Sequence, residues 1–113
     1  MTETLREFET RLLLAIHELE DHAFGLSIHE HLEAATGRTL SLGQIYTGLA
    51  RLEQRALVAS SEGKSTAGRG GRRRKYYRLQ PAALHDLRST AETFRELADA
   101  ISVNLPDATE ARS

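Results

Sequence analysis

The spacing of apolar positions changes several times along the chain, and each change marks an element. Leu5, Phe8, Leu12, Ala15, Ile16 and Leu19 recur three and four apart, with Leu13 and Leu14 widening the stripe. This predicts a first helix from about Glu3 to Asp21 with an apolar side broad enough for two neighbours. His22-Ala23-Phe24-Gly25 breaks the pattern. Ser27 with Glu30 is a capping-box pair, so a second helix is expected from about Ile28 to Ala35, with Ile28, Leu32 and Ala35 inward and Gly37 as its stop. Ser41 with Gln44 is a second such pair, followed by Leu42, Ile45, Leu49 and Leu52 at helical spacing. The opposite side of this third helix would carry Gly43, Gln44, Thr47, Gly48 and Arg51. A face meant only for water usually carries more Glu and Lys; small polar residues let a helix backbone approach another surface.

Leu57 to Ser61 reads as a short strand and Lys75 to Leu79 as a second, with Tyr77 and Leu79 on one face. A Gly/Ser/Arg-rich loop separates them, and its length marks it as functional or mobile. Pro81 is a favoured first helical residue. From there Leu84, Leu87, Ala91, Phe94, Ala98, Ile101 and Leu105 repeat in an a/d alternation up to Pro106. Such a helix, roughly 37 Å long at 1.5 Å per residue, outreaches so small a domain. Its seam predicts a partner helix, most simply from a second copy, with Leu5, Phe8 and Leu12 of the first helix contributing to the same interface. The competing expectation is that the first helix alone covers the seam.

Composition alters this picture mainly through charge. The chain has 113 residues, enough for one core domain, and 40% of them are hydrophobic. No apolar run approaches the roughly 18 residues of a membrane span, and Met1-Thr2-Glu3-Thr4 lacks the basic start of a signal peptide. Cysteine is absent, which excludes disulfide and thiolate chemistry and fits a reducing compartment; a cytoplasmic location is expected. Net charge is only −1, but Gly63 to Arg78 holds seven cations and no acid, leaving 8 basic and 16 acidic residues elsewhere. A +7 segment on a −8 body presents a strongly asymmetric field, and an anionic partner would meet the basic segment alone.

Helix, helix, turn, helix, strand, basic loop, strand is the order of a winged helix-turn-helix. The expected fold is mainly α with a small β-hairpin (α+β). Residues 1–80 would form the winged domain with its N-terminal helix, 81–105 a dimerisation helix, and 106–113 a flexible tail. In this arrangement the helix at about 42–55 would offer a narrow polar face to the major groove of double-stranded DNA, where base edges are distinguishable. The wing at 62–75 would offer cations to the phosphates or the minor groove. Gln44 suits adenine, Arg51 suits guanine or a phosphate, and Tyr46 can donate its hydroxyl to a phosphate or sit half-buried in the core. Gly43 allows close approach. Lys64, Arg69, Arg72, Arg73, Arg74 and Lys75 are the wing's candidate contacts.

The run Leu40-Ser41-Leu42-Gly43-Gln44-Ile45-Tyr46-Thr47-Gly48-Leu49-Ala50-Arg51-Leu52-Glu53 resembles the recognition-helix signature of the PadR family of transcription regulators. Gly71-Arg72-Arg73-Arg74-Lys75-Tyr76-Tyr77-Arg78-Leu79 resembles that family's wing signature, and Phe24-Gly25 its approach to the second helix. The resemblance covers about residues 10 to 80, and the single C-terminal helix is similar to the short branch of the family. It implies a homodimer built partly through that helix and, usually, repression; two recognition helices related by a two-fold axis would meet a palindromic operator. It also implies DNA contacts at Ser41, Gln44, Tyr46 and Thr47 and at Arg72, Arg73, Arg74 and Lys75. The family commonly has proline where this chain has Leu42 and Thr47, and a Thr-Glu-Lys-Gly run where it has Gln80-Pro81-Ala82-Ala83. Some members take planar aromatic small-molecule effectors at the dimer interface, often on a tryptophan. This chain has no tryptophan and offers three phenylalanines and three tyrosines.

Other chemistry finds little footing. Gly63-Lys64-Ser65 imitates the end of a phosphate-binding loop, but the required earlier glycine is Val58. His29 and His31 are two apart and point to different sides of a helix, which does not suit a metal. No nucleophile triad or carboxylate pair suggests an enzyme, and no metal or cofactor is expected. Two further readings stay open: a protein-interaction module that pairs through the C-terminal helix, and a sequence-neutral RNA or single-strand binder using the Arg-Gly wing.

Overall fold

A computed structural model describes residues 5–63 and 74–107. In chain order they form α1 (Glu7–Leu19), a single 3-10 turn (Glu20–His22), α2 (Gly25–Thr36), α3 (Leu42–Gln54), β1 (Val58–Glu62), β2 (Lys75–Leu79) and α4 (Pro81–Asn104). This is the α-rich winged arrangement that the sequence pattern predicts.

Three elements start elsewhere than expected, each for a local reason. Leu5 does not open α1. Its side chain is buried and its N–H donates to Thr90 Oγ1 of α4 at 3.0 Å, so the helix starts only after Arg6. Glu7 and Glu9 then occupy the first turn, where carboxylates suit the positive end of the helix dipole. α2 begins at Gly25, not Ile28, because Ser27 is its third residue and not its cap. The Ser27 hydroxyl accepts from Phe24 N–H at 2.9 Å and donates to the His22 carbonyl at 2.6 Å. Ala35 is exposed, whereas Gly37 closes the helix as expected, left-handed at φ 69° with its N–H on the Glu33 carbonyl. β1 begins at Val58 because Leu57 is turned to other work: its N–H donates to Leu52 and its carbonyl accepts from Gln80 N–H. That turn holds Ala56 at φ 59°.

α3 keeps both halves of its capping box. Ser41 Oγ accepts from Gln44 N–H at 3.1 Å, and Gln44 Oε1 accepts from Ser41 N–H at 3.2 Å. Ile45, Leu49 and Leu52 are fully buried, but Leu42 is 42% exposed and residues 41–44 are all exposed. The first turn of α3 therefore overhangs the core, and Leu42 lies outside the stripe assigned to it.

The core lies between α1, α2, α3 and the hairpin, with Leu12, Leu13, Ile16, Ile28, Leu32, Ile45, Leu49, Leu52, Leu57, Val58 and Tyr77 at its centre. The strands pair antiparallel from Val58 opposite Leu79 to Glu62 opposite Lys75. Phe24 adds a bridge to Tyr76, and Tyr77 N–H donates to the Ala23 carbonyl at 2.8 Å, which sews the start of α2 to the outer edge of β2.

α4 meets this body only along its first half, where Ala83 and Thr90 are buried. From Phe94 to Asp107 every residue is exposed, including Phe94, Leu97, Ile101, Val103 and Leu105. The helix accounts for a longest dimension of 65 Å against 33 and 20 Å across. α1 thus leaves most of the seam uncovered. Leu5 and Leu12, assigned above to an interface with a second copy, are instead sealed inside the single chain at 2% and 0% exposure. No described helix is long and apolar enough to cross a membrane.

Candidate nucleic-acid interface

The overhanging start of α3 decides which side chains a partner meets first. Gly43 and Gln44 are exposed on it, and Thr47 and Arg51 are exposed further along the helix, as their spacing predicts. Gly48 is not part of that face. A Cβ there would stand 2.6 Å from Leu12 Cδ1 and 3.0 Å from Phe8 Cε2, so this glycine lets α3 settle against α1. Gln44 is partly committed: its Oε1 serves the cap, which leaves Nε2 for a ligand. A bidentate contact to adenine needs both atoms and would have to compete with that cap.

Tyr46 is half exposed, on the wing side of the helix, and its ring covers Gly25 so closely that a Cβ at position 25 would collide with it. The choice left open by the sequence, half-buried core or exposed phenol, resolves as a ring laid on α2 with half its surface open.

The wing's stem is clasped to the same region. Arg74 holds its guanidinium 4.4 Å from the centre of the Phe24 ring, and Tyr76 meets that ring edge-on at 5.6 Å. Gly63 N–H donates to the Arg74 carbonyl at 2.6 Å. Lys75 Nζ lies 3.4 Å from Glu53 Oε1 and 5.8 Å from the centre of the Tyr77 ring. Glu53 also accepts from the Ser60 hydroxyl. That bond, helped by the Lys75 charge, holds the Glu53 carboxyl below the usual carboxylate range. Burial pushes the Tyr77 phenol up. Arg74 and Lys75 therefore stand at the base of the wing with partners inside the chain. Lys64, Arg69, Arg72 and Arg73 lie outside the described residues.

On its other side α3 borders an open cleft of about 920 Å³, walled by Arg6, Phe8, Glu9, Arg38 and Arg55 and floored by Gln44, Thr47 and Arg51. Arg55 is bound to Glu9 at 2.6 Å, which ties the end of α3 to α1. Sequence periodicity misses Arg6, Arg38 and Arg55 because two of them sit off α3. The available signal was position: Arg38 follows the Gly37 helix stop, and Arg55 is one turn beyond Arg51.

The turn that feeds α3 is fixed from α2. Leu40 N–H donates to Glu33 Oε2 at 2.8 Å, and the Leu40 carbonyl lies 2.5 Å from His29 Nε2. His31 faces elsewhere, on Glu18 at 2.6 Å. Among the described residues no group of three or more metal-ligating side chains converges.

The family model of the transcriptional regulator PadR-like family matches residues 12–88. No curated protein sequence matches the chain. Among solved structures, a PadR family transcriptional regulator from Eggerthella lenta is 28% identical at a TM-score of 0.70, over 89% of this chain and 88% of that one. A PadR family transcription regulator from Clostridium difficile is 25% identical at 0.69, over 88% and 99%. A transcriptional regulator from Clostridium thermocellum, 23% identical at 0.71 over 87% and 89%, shares the fold.

Proposed function

The chain belongs to the PadR-like family of transcriptional regulators, and from that premise we propose that it acts in the cytoplasm as a homodimeric repressor, with α3 in the major groove of duplex DNA. The wing of residues 62–75 lies on the adjacent backbone or minor groove. The observation that carries the reading is the overhanging first turn of α3, exposed at Ser41, Leu42, Gly43 and Gln44, with cations on both flanks. A protruding helix about 10–12 Å across fits a major groove about 12 Å wide. Thr47 and Arg51 face the bases, with Gln44 Nε2 beside them, while the wing cations neutralise phosphates.

The homodimer is supported by α4. Its 24 residues make a rod of roughly 36 Å at 1.5 Å per residue. A helix with an apolar side and half its length in water is marginal alone. Phe94, Leu97, Ile101 and Leu105 gain burial only if another helix covers them. Two copies related by a two-fold axis would present two α3 helices to half-sites roughly one helical turn, about 34–36 Å, apart.

Fluorescence anisotropy over a salt series tests the reading, using a duplex from upstream of the protein's own gene against a scrambled duplex. A preference of roughly a thousandfold with a steep salt slope supports it. Equal weak binding to both, at every salt concentration, counts against it.

A further inference from the structure

We infer that Arg6 and Arg38 form a second phosphate grip, on the side of α3 away from the wing, so that the protein holds both walls of the groove it reads. The inference rests on the duplex-binding reading above and adds a site that neither the recognition helix nor the wing contains.

The cleft beside α3 shares Gln44, Thr47 and Arg51 with the reading face. A duplex seated on that face therefore lies across the mouth of the cleft. Among the described residues, four arginines line it against one acid, Glu9. Glu9 is already spent: Arg55 holds its Oε2 at 2.6 Å, and Arg6 N–H donates to its Oε1 at 3.0 Å. The other nearby acid among the described residues, Glu7, pairs with Arg11 at 3.0 Å, and the Arg38 charge adds only the last and smallest part of what holds its carboxyl below the usual range. The charge left over in the cleft is positive and comes from Arg6, Arg38 and Arg51.

Geometry assigns the first two to backbone and not to bases. One α-helix with its side chains fills the width of the major groove. Arg6 precedes α1 and Arg38 stands in the turn before α3, so neither can enter the groove with α3. Groups flanking an inserted helix meet the phosphate walls, and guanidinium is well matched to phosphate. The stem of the wing, with Arg74 on the Phe24 ring beside Gly25, stands on the Tyr46 side of α3 and the arginine cleft on the Gly48 side, which gives each wall its own cations. Both arginines are exposed in the free protein, so they can reorient at little packing cost.

The test uses the whole chain, a random-sequence duplex of about 30 base pairs, long enough to span two half-sites, and the sequence preferred by the wild type. Arg6→Gln with Arg38→Gln removes two contacts from each of the two copies, so it should shallow the log–log salt slope by about 3.6 and weaken binding roughly a hundredfold to several thousandfold near 0.1 M salt. The loss should be equal for preferred and random duplex, with sedimentation and the unfolding midpoint unchanged. Arg6→Lys with Arg38→Lys should restore most of the slope. Should the double variant be unstable, Arg38→Gln alone, in an exposed turn, reads half the slope change. An unchanged slope and affinity in a folded variant overturns the grip while leaving duplex binding intact. A wild type that binds no duplex overturns the underlying reading and the grip with it.

Discussion

His29 holds the carbonyl oxygen of Leu40, 2.5 Å from its Nε2, and so fixes the turn that launches α3. A carbonyl only accepts, so Nε2 carries the proton; Nδ1 is buried with no partner. Glu33 takes the N–H of the same residue, which leaves both polar groups of Leu40 bound from α2. His29→Ala removes one of these partners and orphans the carbonyl, at a cost of about 1–3 kcal/mol. Chemical denaturation should show a lowered midpoint with an unchanged slope, and hydrogen exchange should quicken at Ser41 to Gln44.

Two glycines that look alike in sequence should respond differently. At Gly48 a methyl group meets Leu12, which is fully buried and cannot move aside. Overpacking of about 1–3 kcal/mol outweighs the roughly 1 kcal/mol that alanine gains over glycine in a helix, so Gly48→Ala should lower the melting temperature. At Gly25 the methyl meets the ring of Tyr46, which is half exposed and free to swing out. Gly25→Ala should keep the melting temperature within a few degrees and lower DNA affinity through the displaced tyrosine.

The stem of the wing is sensitive to acid. Glu53 is held below its ordinary 4.5 by the Ser60 hydroxyl first and by Lys75 after it. A depressed carboxyl contributes stability that is present above its unfolded value and lost as pH falls through the folded one. The stability advantage of the wild type over Glu53→Gln should therefore be steady above pH 4.5 and shrink below it. Thermal melts of both proteins across that range check this.

What the sequence made legible was whatever repeats locally. The Ser41–Gln44 cap, the inward Ile45, Leu49 and Leu52, the register of Tyr77 and the reach of α4 all follow from neighbours a few positions apart. What escaped depends on distant partners. Leu5 is claimed by Thr90, 85 positions away, so it neither extends α1 nor waits for a second copy. Gly48 passes for part of a polar face until α1 is set against it. Ser27 carries the right residue type for a cap and serves as the third residue, because the backbone of His22 and Phe24 folds over its hydroxyl. Arg6 and Arg38 come from separate elements and converge only in the folded chain.

Leu97 and Ile101 separate the two uses of α4. Both are more than half exposed in the single chain, so Leu97→Glu or Ile101→Glu should change its folding by no more than about 0.5 kcal/mol. In a helix pair each substitution buries an unpaired charge. Sedimentation should show the dimer weakened roughly tenfold or more, with helicity of the winged body retained. A wild type that sediments as a monomer and pairs only with another protein would favour the interaction-module reading.

The most direct measurement is selection of bound sequences from a random duplex pool, followed by the stoichiometry of the winning complex. A dimer that reads through α3 predicts an inverted repeat with half-sites about one helical turn apart, bound by two chains. Loss of the preference on Arg51→Ala would place the reading on that helix. No enriched sequence, or a single half-site bound by one chain, would contradict the account.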